Sequence, residues 1–320
     1  MRKKLKAIDL FAGIGGIRIG FESAGFETVY ANDFDEKAVE TYRLNFGDID
    51  SSDFLEVIRE KGMKKIPKRF DIILGGFPCQ PFSVAGHKRG FADKGRGDLL
   101  FAVVEVLKAR KPKAVFLENV KHLVNHDDEK TFERIKKELE NAGYYMKAEV
   151  LNSITHGNVP QTRERIYIVG FRSPRTLMKF RFPNEVPLTK TMSNILEKNV
   201  GNEYYYDGRY KEIYPKLKAA VRHRDKFYQY RRVYVRENKN GACPTLTASM
   251  GLGGHNVPII RDSKGIRKLT PRECARLQGL PESFNFPAQA NVHLYKQIGN
   301  SVTVPVIARI AENIRIALEA

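Results

Sequence analysis

Short apolar runs alternate with stretches whose apolar residues recur at helical spacing over the first half of the chain. KAIDLF (6–11) stops at a glycine cluster, and IRIGFESAG (17–25) then carries apolar positions at a period of about 3.6, which predicts strand, tight turn and helix. The same alternation recurs in ETVYAND (27–33) with EKAVETYRLNF (36–46), FDIILGG (70–76) with DLLFAVVEVLKAR (98–110), and KAVFLENV (113–120) with KTFERIKKELENAG (130–143). Strands alternating with helices predict an α/β fold, a doubly wound, mostly parallel sheet covered on both faces. In such a sheet the functional groups gather at the carboxyl ends of the strands.

The regularity ends after RERIYIVGF (163–171). From 172 to about 266 the pattern is irregular, which predicts a second, smaller, β-rich domain. Within it, residues 201–240 hold 11 Lys and Arg against 5 Asp and Glu, together with eight tyrosines. Basic residues interleaved with rings suit phosphate contact and base stacking; equally, the tyrosines suffice to build a small core of their own. TLTASMGLGGHNVP (245–258) then places three glycines where a backbone turns tightly or approaches something closely. In TPRECARLQG (270–279), Thr270 reads as N-cap, Pro271 as the first helical residue, Glu273 as the return half of a capping box and Gly279 as the stop. A last helix is expected over 304–318. The expected division is therefore 1–180 plus 295–320 for the sheet domain and 181–294 for the second.

Composition narrows the partners. The chain has 320 residues, 42% of them hydrophobic, and a formal charge of +18. That is enough for a sizeable core, and the excess of positive charge favours a polyanionic partner such as nucleic acid. The three cysteines, Cys79, Cys243 and Cys274, are scattered and lack C-x-x-C spacing, so neither a disulfide framework nor a structural metal is expected. MRKKLKAIDLF breaks into FAGIGG rather than a signal-peptide cleavage site, and no run approaches the roughly 20 apolar residues of a membrane span. These features predict a cytoplasmic protein with no membrane or metal partner.

Four stretches carry candidate chemistry. DLFAGIGG (9–16) is glycine-rich at a strand-to-helix turn but lacks the strict G-x-G-x-x-G register. Asp33, at the end of the second strand, stands where doubly wound folds place an acid for ribose hydroxyls, or else it caps helix 36–46; Phe34 beside it offers a ring for an adenine. In LGGFPCQPFS (74–83), Pro78 and Pro81 restrict the backbone on either side of Cys79. A nucleophile requires a held geometry, although a buried cysteine is also an ordinary small hydrophobe. A free thiol with a pKa of about 8.5 is only slightly ionised at neutral pH, so a catalytic Cys79 needs a positive potential or a proton acceptor nearby. FLENV brings Glu118 to the same sheet edge, either desolvated and fit to donate a proton or simply a solvated strand end. In QTRER (161–165), an extended backbone puts Gln161, Arg163 and Arg165 on one face. Their guanidiniums then converge on one site or form a surface salt-bridge pair.

In this order, DLFAGIGG, NDFD, GDI (47–49), GFPCQPFS, ENV, QTRERIYIVGF, RKLTPRECARLQG (267–279) and QIGNSV (297–302) resemble the DNA (cytosine-5)-methyltransferase family over nearly the whole chain. The resemblance implies a Rossmann-like fold using S-adenosyl-L-methionine (SAM) as methyl donor. Phe11, Gly13, Ile14 and Gly16 would lie along it, with Asp33 on the ribose and Phe34, Asp48 and Ile49 around the adenine. Pro78, Leu99, Asn300 and Ser301 complete the implied cofactor set. It also implies that the Cys79 thiolate attacks carbon 6 of a flipped cytosine while Glu118 holds ring nitrogen 3 and Arg165 steadies the carbon-2 carbonyl, with Arg163 counted in the same catalytic group.

The expected substrate is double-stranded DNA, read by the 181–294 domain. Residues 80–99 are expected to close over the extruded base. Gln80, Ser83, Lys88, Arg89, Arg96, Gln161, Thr245, Leu246, Gly253 and Gly254 are the candidate DNA contacts. A monomer, genetically paired with a restriction endonuclease, fits this pattern. The alternatives are a tRNA cytosine-5 methyltransferase of the same fold and a non-catalytic DNA-binding regulator.

Overall fold

The computed structural model describes residues 4–59, 63–77, 99–231, 233–238, 241–252 and 257–320. In chain order its elements are β1 (Leu5–Leu10), α1 (Gly16–Ser23), β2 (Phe26–Asn32), α2 (Glu36–Phe46), α3 (Phe54–Arg59), β3 (Ile72–Gly75), α4 (Leu99–Arg110), β4 (Ala114–Val120), α5 (Lys130–Asn141), β5 (Tyr145–Asn152), α6 (Ser153–Gly157), β6 (Gln161–Thr162) and β7 (Glu164–Phe171). They continue as α7 (Pro174–Lys179), α8 (Tyr214–Ala220), β8 (Tyr228–Arg231), β9 (Tyr234–Glu237), β10 (Cys243–Pro244), β11 (Ile259–Arg261), β12 (Ile266–Lys268), α9 (Pro271–Leu277), α10 (Asn291–Asn300) and α11 (Val304–Glu319). The chain forms two compact units: Met1–Leu151, Glu164–Pro183 and Val306–Ala320 make the first, Asn152–Arg163 and Asn184–Pro305 the second.

A six-stranded sheet in the order β2-β1-β3-β4-β7-β5 runs through the first unit. β1 pairs in parallel with β2 and β3, and β3 with β4, whereas β7 lies antiparallel to β4. β3 and the apolar part of β4 are buried residue after residue, the continuous apolar pattern of strands covered on both faces. Around them, Ile8, Leu10, Ile73, Val103, Val106, Val115 and Leu117 form part of one apolar cluster. The helices follow from local signals. Asp35 caps α2 by accepting from the Lys37 and Ala38 amides at 3.1 and 3.3 Å, and α5 buries Thr131, Ile135 and Leu139 on one face while its charged residues stay outside. From β1 the chain steps outward to β2 and then crosses to β3 on the other side, so the strand order reverses between β1 and β3. Such a switch point opens a crevice at the carboxyl ends of those strands, where DLFAGIGG leaves β1.

The second unit contains an antiparallel sheet in the order β12-β11-β8-β9. Its small core holds Tyr206, Leu217, Val221, Tyr228, Tyr230, Ile259 and Ile266, with Tyr210 and Tyr214 packed against it. Most tyrosines of the basic segment are therefore core residues; Tyr234, at 58% exposure, points outward. Asn152–Arg163 belongs to this unit, although its chain neighbours β5 and β7 are strands of the large sheet, because β6 pairs in parallel with β10 through Cys243↔Gln161 and Pro244↔Thr162. The unit also runs on to Pro305, beyond the expected boundary at 294. Both halves of the capping box at Thr270 and Glu273 are present, and Gly279 ends the turn at a φ of 71°. No helix among the described residues is long and apolar enough to cross a membrane.

Candidate active site

In the first unit the glycine loop is held to the end of β2. The Gly13 amide donates to Asp33 Oδ2 at 2.7 Å, and the Asp35 amide donates to Asp33 Oδ1 at 2.9 Å. Since Asp35 is the cap of α2, the capping alternative for Asp33 passes to its neighbour. Gly15 has a φ of 84°, and a Cβ there would overlap the Phe46 ring, so only glycine fits without displacement. Phe11 holds a φ of 57°, a conformation that non-glycine residues keep only where the surroundings impose it; its ring meets Phe54 edge-on at 5.3 Å. Ile14 and Gly16 are buried below the loop.

Phe34 is 65% exposed immediately after Asp33. Ile49 is buried and Asp48 exposed. Their segment is stitched to β2 by the Asp50 amide on Ala31 O, the Asp33 amide on Asp50 O, and the Asn32 side-chain amide on Asp50 O and Ser52 O. A carboxylate held at a glycine loop, beside an uncovered ring, suits a nucleoside with a vicinal diol. Leu99 begins α4 and packs against the core cluster.

The sequence alone gives Asp9 no role. It is fully buried at the end of β1, where the Arg18 backbone amide favours its charged form. Burial pushes its pKa up to about 8, with the Arg18 charge opposing and the Asp33 and Glu22 charges adding to the rise. A lone acid in the apolar run AIDLF was the signal available.

At the carboxyl end of β4 the antiparallel β7 sets Val120 opposite Arg165 and Glu118 opposite Tyr167. Glu118 and Arg165 thus share a face on a diagonal. Arg165 Nε lies 3.2 Å from Glu118 Oε1, with the two side chains 13% and 10% exposed. Glu118 is therefore a sheltered, paired carboxylate rather than a solvated strand end. Gly76 lies beside it, a Cβ there falling 3.6 Å from Glu118 Oε2. Asn119, also without an assigned role, is buried: its Nδ2 donates to Phe77 O at 2.9 Å and its Oδ1 accepts from the Val120 amide at 2.8 Å. A carboxyl group and a guanidinium side by side at a sheet edge can grip the polar edge of a planar heterocycle, one at a ring nitrogen and the other at a carbonyl.

QTRER does not remain one strand, because β6 ends at Thr162 and β7 starts at Glu164. Arg163, buried in the second unit, donates from Nη1 to Leu246 O at 2.8 Å and from Nη2 to Gly299 O and Ser301 O. The two arginines therefore take different partners. Gln161, also buried, accepts from the Leu246 amide and donates to Leu277 O at 2.7 Å. Thr245 Oγ1 donates to Thr162 O at 2.6 Å, while Asn300 closes α10 and Ser301 follows as its C-cap. Pro78, Cys79, Gln80, Ser83, Lys88, Arg89, Arg96, Gly253 and Gly254 lie outside the described residues.

His122 and His126 stand four positions apart with ring centroids 6.1 Å apart, and His126 Nδ1 is hydrogen-bonded to Thr131. No cluster of three or more potential metal ligands occurs among the described residues.

The family model for C-5 cytosine-specific DNA methylases matches residues 5–315. The Type II methyltransferase M.Bsp6I of Bacillus sp. (strain RFL6) is 50% identical over 313 residues, covering 97% of this chain and 98% of the relative. The Type II methyltransferase M.NlaX of Neisseria lactamica is 41% identical over 317 residues, covering 98% and 97%. Among solved structures, the Entamoeba histolytica methyltransferase EhMeth shares the fold with a TM-score of 0.76 at 21% identity, each chain covered in full.

Proposed function

The chain belongs to the C-5 cytosine-specific DNA methylase family and is a DNA (cytosine-5-)-methyltransferase of the Type II restriction-modification kind, and from that premise we propose that it methylates a cytosine rotated out of duplex DNA, by way of a covalent Cys79 adduct. SAM fits the glycine-loop site. The loop from Phe11 to Gly16 would hold its methionine part, Asp33 its ribose hydroxyls, and Phe34, Asp48 and Ile49 its adenine. When bound, SAM supplies a methyl group on a sulfonium, an electrophile for an electron-rich carbon.

This chain's residues create that carbon. A cytosine stacked in a duplex is out of reach of any side chain, so the base is extruded at a cost of a few kcal/mol. The Cys79 thiolate adds to carbon 6, and the ring's electron density moves towards nitrogen 3 and carbon 5. Glu118, sheltered and paired, holds nitrogen 3 and the proton there, while Arg165 steadies the carbon-2 carbonyl. After methylation, loss of the carbon-5 proton and elimination of Cys79 restore the aromatic ring. The covalent step is needed because carbon 5 of unactivated cytosine is a poor nucleophile. The enzyme works as a monomer in the cytoplasm and protects host DNA from a paired endonuclease.

The observation that carries this reading is the Glu118–Arg165 pair at the carboxyl edge of β4, with Asn119 bound to the carbonyl of Phe77, two residues before Cys79. The test is methyl incorporation from labelled SAM into duplex DNA and into tRNA, with wild type and Cys79→Ala. Label in DNA alone is expected, and Cys79→Ala should bind DNA yet neither methylate it nor be trapped on 5-fluorocytosine duplex. Labelling confined to tRNA, or trapping by the variant, would overturn it.

A further inference from the structure

We infer that Gln161 and Arg163 are positioning residues for DNA reading, which hold the Thr245–Ala248 segment in register rather than touch the target base; this rests on the DNA-methylating reading above. The geometry is a clamp on the backbone of one residue. Gln161 Oε1 takes the Leu246 amide at 3.1 Å, and Arg163 Nη1 donates to the Leu246 carbonyl at 2.8 Å. Thr245, the residue before, is tied through its hydroxyl to Thr162 O, between the two clamping side chains in sequence. A planar guanidinium has five N–H donors in a fixed fork, and Arg163 directs further donors at Gly299 O and Ser301 O. It is 3% exposed, and peptide carbonyls of the second unit are among its partners.

A separate contact holds the same segment. Gly299 in α10 approaches Thr247 and Ala248 so closely that a Cβ would overlap their backbone. The clamped residues lead directly into Met250–Leu252 and the glycines that follow. Their backbone path thus sets how the exposed Thr247 and Ser249, within the segment expected to read DNA, are presented. Hydrogen bonds from a charged donor are stronger than neutral ones, and leaving Leu246 O without its partner in a buried position is costly. Lysine in place of Arg163 keeps the charge but loses the planar fork.

The full-length protein and its Arg163→Met, Arg163→Lys, Gln161→Met and Gly299→Ala variants separate the possibilities. Two readouts are needed: hydrogen exchange of peptides covering 243–252, and steady-state methylation with bisulfite sequencing of the modified sites. In Arg163→Met and Gln161→Met, exchange should accelerate, the KM for DNA should rise about tenfold or more, and the methylated sequence should relax. The kcat should fall far less than KM rises. Arg163→Lys should recover part of both effects, and Gly299→Ala should act in the same direction as Arg163→Met. Unchanged exchange with a hundredfold loss of kcat at constant KM and constant site choice would make Arg163 a catalytic residue and overturn the inference. Faster exchange with unchanged KM and site choice would overturn its role in reading. If the wild type methylates no duplex DNA, the parent reading fails. The exchange readout would then still decide the clamp, and its absence would overturn it.

Discussion

Asp9 and Glu118 are both buried carboxyls at strand ends, and their surroundings give them opposite character. Glu118 has Arg165 beside it; Asp9 is fully buried, with the Arg18 charge favouring its ionised form and the Asp33 and Glu22 charges opposing it. Because the folded-state pKa of Asp9 is raised to about 8, the folded chain keeps a proton that the unfolded chain loses above about pH 4. Stability is therefore lost as pH rises from about 4 to about 8 and stays reduced above that. Urea midpoints for wild type and Asp9→Asn should diverge in favour of the variant between pH 5 and pH 8.5, by on the order of 3 kcal/mol; a pH-independent difference would sink this assignment. In the proposed mechanism, Glu118→Gln keeps the shape but cannot exchange the proton at nitrogen 3. Methyl transfer should drop roughly 10²–10⁴-fold while duplex binding in a gel-shift assay is retained.

At the scale of elements, strand direction sets the Glu118–Arg165 site, and a buried ionic network holds part of the second unit. Because β7 runs antiparallel to β4, its first residues arrive at the carboxyl edge that a parallel strand would reach only at its end. In the second unit, fully buried Arg267 bonds both Glu273 oxygens at 2.7 Å and Asp262 at 2.6 Å. The same Glu273 carboxylate closes the capping box on Thr270 and accepts the Glu197 amide. Thr270→Ala removes a cap and should cost about 1 kcal/mol. Glu273→Ala leaves the buried Arg267 with Asp262 as its remaining carboxylate and should cost about 3 kcal/mol. Denaturant titrations giving the reverse order would contradict the network's role. The capping box was legible in TPRE because its partners are three residues apart; the link from Arg267 to Asp262 and Glu273 was not, since nothing local announces that Arg267 is buried.

For the whole molecule, the formal charge of +18 bears on how the protein meets DNA. Lysines and arginines that neutralise phosphates release counterions, so affinity for duplex should fall steeply as salt rises from 50 to 200 mM, on the order of 10³-fold for about six phosphate contacts. Fluorescence anisotropy across that range is the measurement, and an affinity nearly independent of salt would mean that the excess charge serves solubility alone. The basic, tyrosine-rich segment shows why composition could not assign the contact surface: charge count is visible in sequence, but Tyr206, Tyr228 and Tyr230 are committed to the small core.

The sequence by itself determined the succession of strands and helices, the caps, the ordered motifs and hence the family, because side-chain period, turn residues and capping pairs act over a few positions. Only the tertiary structure decided that Arg165 meets Glu118 while Arg163, two residues away, donates to the backbone carbonyls of Leu246, Gly299 and Ser301. Alternate residues share a face only while a strand is unbroken, and this one is interrupted at Arg163. It likewise decided that Asp9 is fully buried and that Asn119 reaches back to Phe77. Those facts depend on which distant strands lie side by side, and no local pattern specifies that.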